Sequence, residues 1–340
     1  MKKKVALALA SGGPRGFAYI GAIEELLGRG YEISSIAGTS AGSLVGGIFA
    51  AGGLDAFKGW LYSLDKIKVL SQMDISISLN PLVKGEKIIE TIKTIVPEVN
   101  IEDLPIPFAA VATDLYTGEE VVFREGPLFE AIRASISIPS MFRPVKWQGR
   151  TLVDGGLVNT FPLNRVARTE GDILVGFNVN SIDASPIHEY LENQAALERD
   201  EIARKEEARE LLRDTLATDR SELLRQVRRA GAQGRELLRE TIESQRLSRR
   251  LESEGRESGI PVDAEDNYAT VIDRSFGIMN GVIARLGAEL CPPDILVELP
   301  YDSYQDISSY SHAEEIAAKG RELMSAALDR FEGRSRAACA

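Results

Sequence analysis

A serine framed by two glycines, Gly38-Thr39-Ser40-Ala41-Gly42, lies between an apolar stretch (Ile33 to Ala37) and a helix-like one (Ala41 to Ala51). The form G-x-S-x-G at a strand-to-helix junction is the pattern of a nucleophile elbow. Glycines flank the serine because the turn is too tight for side chains, and the serine must stand clear of the backbone. The pentapeptide therefore asks for a buried strand, a sharp turn and a helix in immediate succession. Upstream, Val5-Ala6-Leu7-Ala8-Leu9-Ala10 reads as a buried strand ended by glycines, and Phe17 to Arg29 as a helix ended by Gly30. The resulting β-α-β-α order predicts an α/β fold with a parallel sheet and helices on its faces.

The pattern continues past the elbow. Lys84 to Ile95 and Pro127 to Ala134 read as helices, and Phe108 to Thr113, Glu120 to Arg124, Arg150 to Val153 and Ile173 to Val179 as strands. Tyr268 to Leu290 reads as a helix, Ile295 to Leu299 as a strand and Ala313 to Phe331 as a terminal helix, leaving 332–340 as a tail. The uncharged run from Ile33 to Leu54 is long enough to span a bilayer. Its six glycines, its polar residues and Ser40 fit a buried strand, turn and helix better.

Two further glycine motifs flank the elbow. Gly12-Gly13-Pro14-Arg15-Gly16 follows the first strand and opens the first helix, so its amides make an anion site at a helix N-terminus. In an acyl-transfer enzyme such a loop holds the oxyanion, with Gly12, Gly13, Arg15 and Gly16 as donors; Pro14 has no N–H. The same loop can be read as a dinucleotide cradle. Ser11 then stands where G-x-G-x-x-G needs its first glycine, and Glu32 is the only acidic residue near the required distance. Asp154-Gly155-Gly156 ends an apolar strand, where catalytic groups of parallel-sheet enzymes collect, although Asp-Gly is also ordinary turn chemistry. As a base, Asp154 must be desolvated to rise above the usual aspartate pKa near 3.9. The two histidines, His188 and His312, lie far from these motifs and read as surface or capping residues.

The 51 acidic against 40 basic side chains give a net charge of −11, which argues against nucleic acid as a partner. Cys291 and Cys339 have no metal-ligand spacing and read as reduced thiols of a cytoplasmic protein. Met1-Lys2-Lys3-Lys4 and the apolar run behind it imitate a signal peptide, but the run is short and cleavage there would remove the first strand. Between Ser185 and Ile260 roughly two residues in five are charged, and Glu-to-Arg pairs recur three apart, as in Glu206–Arg209 and Glu222–Arg225. Each pair supports a helix by about 0.2–0.5 kcal/mol. Gly231 and Gly234 divide the stretch, so 185–260 reads as a charged helical hairpin inserted into the αβ pattern. It is the candidate surface for a homo-oligomer, a lid or peripheral membrane contact.

Taken together, the three glycine motifs, with Ala131-Ile-Arg-Ala-Ser-Ile-Ser-Ile-Pro-Ser140 ahead of the aspartate, resemble the patatin-like phospholipase family in order and position. The resemblance covers 1 to about 182 well and 266–331 more loosely; the insertion lies outside it. One departure is Ser11, where many members have glycine. The resemblance implies a three-layer α/β/α fold with a mainly parallel sheet and a Ser–Asp dyad. Ser40 would be the nucleophile, Asp154 the general base and acid, and the 12–16 loop the oxyanion hole. Gly38 and Gly42 would form the elbow, and Gly155 and Gly156 the turn after the base. It implies hydrolysis of fatty-acyl esters of phospholipids or other lipids, without metal or other cofactor. An acyltransferase using the same acyl-serine and a non-hydrolytic scaffold, binding a dinucleotide or a partner protein, are the alternatives.

Overall fold

The computed structural model describes residues 3–64, 86–139, 141–182, 268–304 and 307–338. The charged insertion expected over 185–260, with His188, lies outside the described residues, as do Ser140 and Cys339. Eight strands form one sheet: β1 (Lys4–Leu9), β2 (Glu32–Thr39), β3 (Phe108–Asp114), β4 (Glu120–Phe123), β5 (Val145–Trp147), β6 (Arg150–Asp154), β7 (Ile173–Ser181) and β8 (Ile295–Pro300). The order is β5-β6-β3-β2-β1-β7-β8, with β4 also on β3. From β3 to β8 every pairing is parallel, whereas β4, β5 and β6 run antiparallel to their neighbours.

The helices are α1 (Ala18–Gly28), α2 (Ala41–Ala50), α3 (Leu54–Tyr62), α4 (Glu86–Lys93), α5 (Leu128–Ser135), α6 (Tyr268–Leu290) and α7 (Ala313–Ala338). The alternation within β1 separates the two faces of the sheet. Val5, Leu7 and Leu9 join a large core with residues of α1, α2 and α7. Ala6, Ala8 and Ala10 face the other way, against Phe161, Leu163, Leu174 and Ala284 of α6. Small side chains on that face leave room for the Phe161 ring, which lies where a Cβ on Gly176 would come within 2.5 Å of it. Helices therefore cover both faces of the sheet, as the expected α/β/α arrangement requires.

Helix α1 lies against α7 with almost no side chain between them. A Cβ on Gly21 would stand 1.9 Å from the Ala317 carbonyl, and one on Gly320 1.9 Å from that of Ala18. Arg29 fastens the far end of the pair through Asp329 and the Ser325 hydroxyl. No helix among the described residues is long and apolar enough to cross a membrane.

Candidate active site

The carboxyl ends of β1, β2 and β6 converge, so the three glycine motifs that are remote in sequence meet in space. Direct bonds tie them. The Ser11 amide donates to the Thr160 carbonyl at 2.8 Å, joining the first loop to the turn behind Asp154. The Thr39 hydroxyl donates to the Asn159 carbonyl at 2.8 Å, joining the elbow to that same turn.

At the elbow, Ser40 has φ 52° and ψ −120° and is 2% exposed. A non-glycine residue there carries strain of about 1–3 kcal/mol, which persists only when surroundings fix it. Gly42 is one fixture: a Cβ would lie 2.2 Å from the Leu9 carbonyl, so only glycine lets α2 begin this close to β1. At Gly38 a Cβ would strike the Gly42 carbonyl at 2.3 Å. Ser135, at the end of α5, is the other. Its hydroxyl accepts the Ser40 amide at 2.9 Å and donates to the Val111 carbonyl at 2.6 Å. Two residues on, the Ser137 carbonyl accepts the Asp154 amide at 3.0 Å. The end of α5 thus clamps both the serine and the aspartate, which gives the stretch ahead of the aspartate a physical task. Ser135→Ala is expected to leave the Ser40 amide buried and unpaired. That costs about 1–3 kcal/mol, read as a lower denaturation midpoint, together with a lower kcat from a loosened elbow.

Asp154 is 4% exposed. Its Oδ1 accepts the Gly156 amide at 2.7 Å, so the Asp-Gly-Gly turn aims its own carboxylate. Gly155 packs against β3, where a Cβ would meet the Val111 carbonyl at 2.3 Å. Oδ2 has no hydrogen-bond partner among the described residues. Burial raises the Asp154 pKa to about 6, while the Ser40 hydroxyl and the Gly156 amide pull it back. The Ser40 hydroxyl thus faces this carboxyl at a reach longer than a formed hydrogen bond. Such contacts often tighten only when substrate is bound. A carboxylate held this way is a stronger base than one in water and sits beside the hydroxyl it would deprotonate.

The 12–16 loop is a 3-10 turn, Gly13–Phe17, with Gly12 as its N-cap. A 3-10 ladder bonds residue i to i+3, so its first amide is that of Arg15, and those of Gly12 and Gly13 stay outside it. Gly13 has φ +54°, a conformation that favours glycine. Gly16 abuts the start of α2, since a Cβ there would reach the Ala41 Cβ at 2.4 Å. The Arg15 side chain turns inward: Nε donates to the Val179 carbonyl at 3.0 Å and the guanidinium stacks 4.5 Å from the Tyr301 ring centre. It anchors the loop to β7 and to the residue after β8.

Ser40 and Gly13 open onto one cavity whose walls are almost wholly apolar, formed by Phe17, Leu44, Val45, Phe57, Trp60, Leu61, Ile88, Ile92, Ile136, Ile138 and Phe142. Phe142, a sequence candidate for an acyl channel, is in this wall, whereas Met141 is not. Tyr310 also lines it, from the 3-10 turn Ile307–His312 that precedes α7. Nothing in the spacing of the motifs pointed to Tyr310, or singled out Ser135 within its segment. His312, two residues on, is exposed and is not among the residues lining the cavity.

The family model for patatin-like phospholipase matches residues 7–167, which hold all three motifs. An uncharacterised NTE family protein of Mycobacterium tuberculosis is 38% identical over 97% of this chain and 92% of its own length. A patatin-like phospholipase domain-containing protein of Caenorhabditis elegans is 30% identical over 55% of this chain and 14% of its own. Among solved structures, VipD from Legionella pneumophila superposes over 59% of this chain and 56% of its own, with TM-score 0.37 and 15% identity. With a match that runs nearly end to end in the mycobacterial relative and a family model spanning the elbow, the loop and the aspartate turn, the chain belongs to the patatin-like phospholipase family.

Proposed function

We propose that this protein hydrolyses fatty-acyl esters of lipids through an acyl-Ser40 intermediate, with Asp154 as the base. The observation that carries the reading is the buried Asp154 carboxyl, whose Oδ2 is unpartnered beside a strained serine that opens onto an apolar cavity. Ser40 Oγ attacks the ester carbonyl carbon and its proton passes to Asp154. The carbonyl π pair moves onto oxygen, where the Gly12 and Gly13 amides receive it. As the carbon–oxygen bond to the alcohol breaks, Asp154 returns the proton to the leaving oxygen. Water, deprotonated by Asp154, then attacks the acyl-serine; the bond between the acyl carbon and Ser40 Oγ breaks, Asp154 returns the proton to Oγ, and the fatty acid leaves. In this reading the hydrolase is carried by residues 1–182 and 266–331, with the 185–260 insertion as an appendage to it.

The apolar wall supports an acyl chain rather than a polar headgroup as the part that enters. Each methylene taken out of water contributes about 0.8 kcal/mol, close to a factor of about four in kcat/KM. A series of p-nitrophenyl esters from acetyl to dodecanoyl is therefore expected to show kcat/KM rising with chain length until the cavity is filled. A flat or falling series would remove the acyl-pocket assignment. Release of free fatty acid from mixed phospholipid vesicles, with Ser40→Ala as control, separates hydrolysis from transfer to an added alcohol.

A further inference from the structure

Tyr310 carries a hydroxyl for which the fold provides no use. Its ring is set edge-on against Phe17, with centroids 5.8 Å apart and planes at 75°. Phe17 ends the same 3-10 turn that begins at Gly13, so this contact fixes the phenol relative to the loop. The hydroxyl lies 3.7 Å from the point a Cβ on Gly13 would occupy, and the residue lines the cavity together with Ser40. Among the described residues no protein group takes its hydrogen bond. The side chain is half-buried and its oxygen is not sealed from solvent, so it can meet a group that enters the cavity. Phenylalanine would pack on Phe17 equally well, so packing alone does not account for the oxygen.

We propose that the Tyr310 hydroxyl is a catalytic donor to the acyl oxygen, completing with the Gly12 and Gly13 amides the cradle for the oxyanion. This rests on the acyl-Ser40 reading above. When Ser40 Oγ bonds to the carbonyl carbon and its proton goes to Asp154, the displaced π pair sits on an oxygen beside Gly13. Tyr310 donates to that oxygen and keeps its proton throughout. When the tetrahedral carbon collapses, the carbonyl re-forms and the hydrogen bond slackens. Burial raises the Tyr310 pKa to about 12, with the Asp154 carboxylate pushing it up further and Arg15 opposing. The phenol therefore stays protonated, as a donor must, across the range in which Asp154 is ionised.

The test is Tyr310→Phe, assayed on a short p-nitrophenyl ester and by the rate of labelling with a fluorophosphonate, whose phosphoryl oxygen enters the same cradle. Rates are normalised to the burst-titrated active fraction, so a partly unfolded preparation still reports on its intact molecules. Losing one oxyanion donor is expected to lower kcat by about 10²-fold, with KM nearly unchanged and labelling slowed in parallel. A structural tyrosine would leave kcat and labelling per active site at wild-type values, and that outcome overturns the proposal. So does a raised KM at constant kcat, which would make the hydroxyl a ground-state contact. Ser40→Ala, run alongside, separates the failures. If it still labels, the acyl-serine reading falls first; if it does not and Tyr310→Phe behaves as wild type, only the tyrosine assignment falls.

Discussion

Ser40→Ala is expected to reduce ester hydrolysis to the rate left by binding and the oxyanion donors alone, a loss of about 10⁴–10⁶ in kcat, and to abolish fluorophosphonate labelling. The variant should remain folded, because the elbow is held by groups other than the serine oxygen. Gly42 allows the close approach to β1, and the Ser135 hydroxyl takes the residue-40 amide whatever side chain stands there. Backbone strain adds a second, independent signature. Alanine at position 40 keeps a Cβ at φ 52°, whereas glycine removes it. Strain of about 1–3 kcal/mol is set against the extra chain entropy of glycine, about 0.5–1 kcal/mol. Ser40→Gly is thus expected to be as inactive as Ser40→Ala and to melt at the same temperature or higher. Persistent labelling in either variant would place the nucleophile elsewhere. A glycine variant that melts well below the alanine one would show that the elbow is not strained.

What could be read from the chain is what short-range chemistry decides. Val5 to Ala10, Ile33 to Ala37 and Ile173 to Val179 are apolar runs cut by turns; the last two lie inside observed strands, and the first does so up to Leu9. Ser40 and Asp154 were legible because glycine is forced where backbones nearly touch, and the sequence records that force. The antiparallel side of the sheet was harder. Strand β5 has only Val145–Trp147, and its turn to β6 passes through Gln148 and Gly149 at φ 46° and 80°. A hairpin turn of that type usually announces itself with Asn-Gly or Asp-Gly, and glutamine hides it. The terminal helix, expected to stop at Phe331 and leave 332–340 as a tail, continues to Ala338. Helix α3, which begins just after Gly52 and Gly53, was not anticipated. Tyr310 was illegible in principle, since its meaning comes from a hydroxyl set against Gly13 across nearly the whole chain.

Asp154→Asn separates what this carboxyl does for the fold from what it does for the reaction. The side chain is buried, with its pKa raised to about 6 from an ordinary 3.8. A raised carboxyl pKa means that the folded state holds the proton more tightly than the unfolded chain. Below about pH 3.8 the group is protonated in both states and is neutral toward stability. Between about 3.8 and 6 the unfolded chain ionises first, so folding loses stability as pH rises, and above 6 the loss is constant. Its size, 2.2 pKa units at 1.36 kcal/mol each, is about 3 kcal/mol. Asparagine keeps the shape and the oxygen that accepts the Gly156 amide but never ionises. The variant is therefore expected to be more stable than wild type at pH 7 by up to that amount, with the difference vanishing near pH 3. Its kcat should fall by on the order of 10³–10⁴, since among the described residues lining the cavity no other carboxylate or imidazole is present to accept the Ser40 proton. In the wild type, kcat/KM should rise with pH through about 6 and then level, as the carboxylate forms. His312→Ala should leave that profile in place. An aspartate-free enzyme that kept its rate, or a pH profile abolished by the histidine change, would assign the proton transfer to another group. A variant that lost activity and stability together would make Asp154 a structural residue and remove it from the chemistry.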